Sequence, residues 1–438
     1  VFENLLGQDE ALKALKSDAE ADRLPPAILF SGPPGAGKLT AALELARVLS
    51  CGRPVPGRAA WNCPCPACAR QRLLVHPDLA LLGPRSFPEE IAAGLELLGR
   101  APGPASAFFF SRAARKLARR FDALLYEGEE SRLPKAAPLL RELEEELDAV
   151  APERAAQGTL APGASQAAAK AAATCAKLEA FVPDAPPVFM IRNVEFWARL
   201  APLGLRKTVV IENADRMLEA SRNALLKILE EPPDSVRFVL LSSRRSAMMT
   251  TILSRARTYH FAMRDAAGTS LVVERVFRSS ESALSVESFL AARRPFPPSA
   301  ASELAQAFLG AALALRPDLV SLAPSLAALA RDAGTKGDRA AVFAAILEAT
   351  KDFGQKDDKY SSSFRTFLAA LSSTLRGLLS EKGADAAAVA FVERAAGLIR
   401  AASSDYETLN RSPSLLTESL MYALGETGGP PSGSGGRP

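Results

Sequence analysis

The run Gly32-Pro33-Pro34-Gly35-Ala36-Gly37-Lys38 sits between a short apolar stretch, Ala27-Ile28-Leu29-Phe30, and a segment with helical spacing from Lys38 to Leu49. Strand, glycine loop, helix is a severe constraint. The glycines let backbone N–H groups turn inward around phosphate oxygens, and the helix that follows offers its positive N-terminal end. Lys38 adds a point charge. The run matches the start of the phosphate-loop pattern G-x-x-x-x-G-K-[ST], so a chain carrying it is expected to build a parallel α/β sheet around that loop. Gly32, Gly35, Ala36, Gly37 and Lys38 are its nucleotide-contacting residues.

The pattern fails at its last position. Leu39 stands where a hydroxyl should hold Mg²⁺. Thr40 is one residue late and, on a helix, points about 100° away; it substitutes only if the loop shifts register, and is kept with Glu212 and Ser242 among the candidate nucleotide-binding residues. A second departure follows the apolar strand expected at Thr208–Ile211. It ends in Glu212-Asn213-Ala214-Asp215. Glu212 can serve a metal, but Asn213 cannot act as a general base, since an amide takes no proton near neutral pH. ATP or ADP is therefore an expected ligand, with weak or no Mg²⁺-dependent hydrolysis. The competing reading of Glu212–Asp215 is a helix-capping loop.

Four of the five cysteines, Cys51, Cys63, Cys65 and Cys68, fall close together after the phosphate-loop helix. The N-terminus has neither the basic start nor the apolar run of a signal peptide, and no stretch reaches the ~20 apolar residues of a membrane span. The expected location is the cytoplasm, with no membrane partner. In a reducing compartment such clustering favours a closed four-thiolate Zn²⁺ site over disulfides, with free buried thiols as the alternative. His76 is the alternative fourth ligand, although His76-Pro77-Asp78 reads more simply as a turn into the strand Leu79–Leu82, and Cys175 reads as a buried small residue.

A length of 438 residues suggests roughly three domains of ~150 residues each. Further strands are expected at Leu79–Leu82 and Arg237–Leu241. Residues 87–187 break the pattern as a helical, partly mobile insertion. Ala105–Leu125 reads as a basic helix carrying Arg112, Arg115, Lys116, Arg119 and Arg120, and Leu139–Ala149 as an acidic one. A net charge of only +4 gives no whole-molecule argument for nucleic acid. The basic face is either a DNA-binding surface or one side of a charged helical hairpin anchored by Phe108-Phe109-Phe110; the hairpin is the simpler reading. From about Leu271 to Leu424 the pattern is helical. The Gly, Pro and Ser of 427–438 read as a disordered tail.

The set Leu6-Gly7-Gln8, Gly32–Lys38, the cysteine cluster, Glu212–Asp215, the run from Asn223 to Pro233 (Asn-Ala-Leu-Leu-Lys-Ile-Leu-Glu-Glu-Pro-Pro) and Ser254-Arg255 resembles the bacterial clamp-loader subunits δ′ and γ/τ. The resemblance covers about 1–82 and 188–261, with a further patch at Asn410–Leu424. It implies an AAA+ P-loop domain with a parallel sheet (1–262, interrupted by the 87–187 insertion), a small helical lid (263–320) and an all-α collar (321–426). It implies a structural zinc at the four cysteines, although Cys63 and Cys65 stand closer than is usual. It implies a hetero-pentamer with γ/τ and δ subunits, acting with the sliding clamp on primed DNA. Arg255 matches the arginine that δ′ presents in trans to a neighbour's ATP, with Ala256 replacing a usual Cys. Read on its own, Arg255 is a surface arginine among Arg244, Arg245 and Arg257. Ser242 matches the polar residue that senses γ-phosphate, or is a solvated strand-end serine. Leu39 and Asn213 favour δ′ over an ATP-hydrolysing γ/τ-type motor. The cysteine cluster and the Asn223–Pro233 run argue against an unrelated AAA+ protein such as a branch-migration motor.

Overall fold

A computed structural model describes residues 2–52, 59–154, 160–294, 296–314, 316–322, 324–334, 363–380, 386–409 and 411–425, with isolated positions at 344, 348, 350 and 353. The expected tail, 427–438, lies outside the described residues. The chain divides into two compact units, Val1–Arg293 and Arg294–Pro438. The expected lid segment is shared between them.

The first unit is organised by a five-stranded, all-parallel sheet: β1 (Ala27–Ser31), β2 (Leu79–Leu82), β3 (Lys207–Ile211), β4 (Val236–Ser242) and β5 (Arg257–His260), in the order β2-β3-β4-β1-β5. Strands β1 to β4 are buried at every position. That burial is why each reads as a continuous apolar run: a parallel sheet is covered on both faces. β5, an edge strand, alternates Arg257-Thr258-Tyr259-His260 and buries only Tyr259, which is why its sequence raises no strand signal.

Helices α1 (Asp9–Glu20), α2 (Lys38–Leu49) and α3 (Pro66–Arg72) flank the first strand. One face of the sheet packs Leu15, Ile28, Phe30, Leu43, Leu45, Val210, Val239 and Phe261 into a single apolar cluster. The side chain of Gln8 both donates to the Ala262 carbonyl (2.9 Å) and accepts from the Ala262 N–H (3.0 Å). This pairing ties the N-terminal Leu6-Gly7-Gln8 stretch to the end of β5.

The insertion is helical: α4 (Pro88–Arg100), α5 (Pro104–Ala118), α6 (Ala136–Ala149) and α7 (Ala164–Glu179), followed by α8 (Val188–Arg199). Within the insertion expected to be partly mobile, α7 buries Ala168, Ala171, Cys175 and Leu178. The basic α5 packs along α4, and the acidic α6 along α7. This corrects the expected charged hairpin. The two helices exchange an ion pair at Arg115–Glu144 (3.7 Å). The rest of the basic face turns inward because it has better partners there. Asp78 and Leu82 of the β2 edge accept from Thr208 and Glu212 of β3, so the alternate carbonyls of Leu79 and Gly83 face outward. Arg119 donates to Leu79 O and Arg120 Nε donates to Gly83 O (2.9 Å). Two arginines thereby satisfy an edge that would otherwise offer bare acceptors. Arg112 donates to the Gln71 and Arg72 carbonyls at the C-terminal end of α3, where a cation is favoured by the helix dipole. Lys116 pairs with Glu90. Burial raises the Glu90 carboxyl, but Lys116 and Arg85 outweigh it and hold it down at about 2.

The three phenylalanines anchor α5 in three directions. Phe110 is fully buried, Phe109 meets Phe277 edge-on (5.4 Å between ring centroids), and Phe108 meets Trp61 (6.0 Å). Phe277 belongs to α11 (Ala266–Phe277), which with α12 (Val286–Ala291) joins Ala93 of α4 in one apolar cluster. Helix α9 (Glu219–Glu230) and the short α10 (Thr250–Leu253) precede β4 and β5.

The second unit is all-helical among its described residues: α13 (Pro298–Ala314), α14 (Pro317–Leu322), α15 (Pro324–Gly334), α16 (Ser363–Ser380), α17 (Ala386–Leu409) and α18 (Pro413–Gly425). Phe308, Phe364, Phe367, Leu371, Leu420 and Leu424 share its core. Among the described residues, no helix is long and apolar enough to cross a membrane. Truncating Phe110 to Ala is expected to destabilise the first unit by about 3–5 kcal/mol, read as a lowered denaturant midpoint in chemical unfolding.

Candidate nucleotide site and cysteine cluster

The phosphate loop leaves β1 at Ser31 and enters α2 at Lys38, with Gly37 as N-cap in the left-handed region (φ 92°). A side chain at Gly37 would stand 2.7 Å from Leu5 Cδ1, and one at Gly32 2.1 Å from the Phe261 carbonyl oxygen. Only glycine fits at either place. Leu39 is half-buried and packs against the sheet core, with Thr40 the next residue along α2.

Lys38 Nζ donates to the loop's own carbonyls, Gly32 O (2.6 Å) and Pro33 O (2.7 Å). Burial pushes its pKa down to about 8, against the pull of Glu212, Asp215 and Glu287. Arg264, which the sequence reading passed over, donates to Gly35 O in the loop and to Leu6 O (3.1 Å). A side chain on Gly35 would stand 3.1 Å from the Glu287 backbone nitrogen at the start of α12. The loop is therefore bracketed by Arg264 and the α11–α12 pair.

Glu212, at the end of β3, is held by Arg120 Nη2 (2.7 Å), with Arg85 Nη1 at 3.7 Å. Arg85 also bonds Glu90 (2.8 Å). Asn213 takes a left-handed conformation (φ 49°) and its amide donates to Pro84 O (2.6 Å). This residue serves the backbone turn that follows β2. Ser242 donates to Asp215 Oδ1 (2.8 Å), and Arg244 Nε donates to Oδ2 (3.0 Å). Ser242 is buried, so it is not a solvated strand end. Lys38, Glu212, Asp215 and Ser242 are thus gathered at the C-terminal ends of β1, β3 and β4, where open α/β sheets bind ligands.

Arg255 lies outside that group. It follows α10, is exposed, and is held loosely by Thr251 O (3.0 Å) and Glu230 Oε1 (2.9 Å). Glu230 belongs to the Asn223–Pro233 run, which forms most of α9.

The four cysteine sulfurs lie within 4.8 Å of one another. Cys51 Sγ is 3.9 Å from both Cys63 Sγ and Cys65 Sγ. A tetrahedral site with metal–sulfur bonds of ~2.3 Å needs sulfurs ~3.8 Å apart, so the cluster fits a metal such as zinc, which would close the loop as a structural cross-link. The short Cys63-Pro64-Cys65 spacing is absorbed because Cys65 is the extended N-cap of α3 and Pro66 its first residue. The buried Arg47 supports the cluster. It donates to Cys68 Sγ (3.2 Å), Ala60 O (2.9 Å) and Ala59 O (2.8 Å), and pairs with Glu44 (2.6 Å). Trp61 stacks its ring against Arg47 (5.6 Å) and Arg112 (5.9 Å). His76 stays apart; its Nδ1 accepts from Asp78 N–H in the turn into β2.

Fold and site together give a five-stranded parallel α/β unit with a phosphate-loop sequence between β1 and α2, in which Leu39 and Asn213 depart from the usual pattern. Residues 7–95 and 190–265 match the family described as "DNA polymerase III, delta subunit". The chain is 34% identical over 77 residues to DNA polymerase III subunit delta' of Haemophilus influenzae (17% of this chain, 24% of the relative). It is 44% identical over 62 residues to the Pseudomonas aeruginosa protein of that name (14% and 19%). It is 33% identical over 88 residues to replication factor C small subunit 1 of Pyrobaculum arsenaticum (19% and 27%). The chain thus spans about a quarter or less of the delta' relatives. A crystal structure of a DNA polymerase III gamma subunit-related protein from Thermotoga maritima aligns with 57% of this chain and 88% of its own, at 16% identity and a TM-score of 0.27, too low to argue from. Over these stretches the chain is similar to subunits of the bacterial DNA polymerase III. Residues 96–189 fall outside the matched stretches.

Metal analysis of the purified chain is expected to return one zinc per chain. Cys63→Ser with Cys68→Ser should lose it and shift the fluorescence of Trp61; metal content unchanged in that variant would refute the site.

Proposed function

We propose that the chain is a δ′-type clamp-loader subunit: it joins γ/τ-type and δ-type partners, hydrolyses little or no ATP itself, and lends Arg255 to a neighbour's ATP while the sliding clamp is loaded onto primed DNA. The observation that carries this reading is the separation of two charges. Lys38 is turned onto its own loop beside a site with Leu39 for the metal-binding hydroxyl and Asn213 for the base. Arg255 is exposed and held by surface contacts to Thr251 O and Glu230. A surface ion pair of this kind holds a side chain in place at little cost to its release. An always-charged, bidentate guanidinium is the group suited to stabilising phosphoryl-transfer charge from outside. The four-thiolate zinc stiffens the loop after α2.

The test mixes purified chain with a γ/τ-type ATPase and its δ partner on primed DNA. The chain alone is expected to show no turnover above background. Arg255→Ala should fold normally and assemble, yet lower the complex's DNA-stimulated ATPase severalfold, as loss of an arginine finger requires. Undiminished ATPase in the Arg255→Ala complex would remove the finger role. Brisk hydrolysis by the chain alone would move it to the motor class.

A further inference from the structure

We propose that Arg120 and Arg85 stand in for the divalent cation of this chain's own nucleotide site, so that the insertion keeps Glu212 permanently out of metal chemistry. In a working P-loop site, the carboxylate at the end of the strand next to β4 holds Mg²⁺. Here Glu212 has the right place in the sheet, yet its Oε1 accepts from Arg120 at 2.7 Å, with Arg85 at 3.7 Å. Arg120 is 2% exposed in its side chain and Glu212 10%. At that burial a guanidinium is not exchanged casually for a hydrated ion, because removing either partner leaves an uncompensated charge.

Arg120 is fixed from several sides. Its Nε donates to Gly83 O (2.9 Å), its guanidinium lies over Phe87 (5.4 Å), and it follows Arg119, which is spent on β2, and α5, whose Arg112 is spent on α3. Arg85 is held by Glu90 and also lies over Phe87 (5.7 Å). Glu90 in turn is paired with Lys116 of α5. One network therefore joins the insertion to the strand-end carboxylate. Arg120 lies in the stretch outside the family match while Arg85 and Glu90 lie inside it, so the Arg120 half of the lock belongs to this chain's added segment. It is distinct from the missing hydroxyl at Leu39 and the missing base at Asn213, which would weaken a metal without displacing it.

This goes beyond the δ′ reading and can fail separately from it, because it concerns the isolated chain and not the partner's ATPase. The experiment titrates Mn²⁺ into the full, zinc-replete chain with ADP present and follows free Mn²⁺ by electron paramagnetic resonance. The wild-type chain should bind no stoichiometric Mn²⁺. Arg85→Gln with Arg120→Gln should gain one site, at an affinity about 10-fold or more above wild type, and Glu212→Gln added to that pair should lose it again. Stoichiometric Mn²⁺ on the wild-type chain overturns the proposal. So does a folded double variant, checked by its zinc content and melting curve, that takes up none. If the double variant does not fold, the wild-type titration decides: Mn²⁺ bound refutes the lock, and none bound supports it.

Discussion

The structure depends on how the outer edge of β2 is closed. A parallel sheet has two edges, and each leaves alternate carbonyls and N–H groups without a ladder partner. At β5 the chain leaves the edge polar and half-exposed. At β2 it does the opposite: all four positions are buried, and arginines from the insertion donate to the outward carbonyls. A guanidinium suits the task, since its donors are arranged in a fixed fork and it never loses its charge. Because Arg120 reaches Gly83 O and Glu212 together, closing the edge and occupying the strand-end carboxylate are one event.

Charge around the phosphate loop is balanced locally. Lys38 points back to Gly32 O and Pro33 O, and its ammonium is pulled down by burial, not by neighbouring cations. Arg264 braces the loop from the other side. Asp215 is shared between Ser242 and Arg244. Lys38, Glu212, Asp215 and Ser242 are each engaged with protein groups.

The cysteine cluster is tied into the same body. Arg47 links Cys68 to Glu44 on α2, and Trp61 is wedged between Arg47 and the insertion's Arg112 and Phe108. The loop after α2 and the insertion thus brace each other, although the loop falls inside the family match and most of the insertion outside it.

The sequence by itself determined the strand–loop–helix unit, four of the five strands and the gathering of four cysteines. Those signals are local: glycines where backbone must approach backbone, apolar runs where a strand is buried on both faces, thiols at metal-binding spacing. It also determined that Leu39 and Asn213 break the hydrolytic pattern. What only the tertiary structure decided is where the charges go. Arg112, Arg119 and Arg120 look like a solvent or DNA-facing stripe when read along a helix, because a helical wheel carries no record of which carbonyls lie across from it. β5 went unread since its edge position lets polar residues stand in a strand, and Arg264 since a lone arginine after a strand has no periodicity. A cation's partner is chosen by distance in space, and that distance exists only once the sheet edge, the insertion and the phosphate loop have been folded against one another.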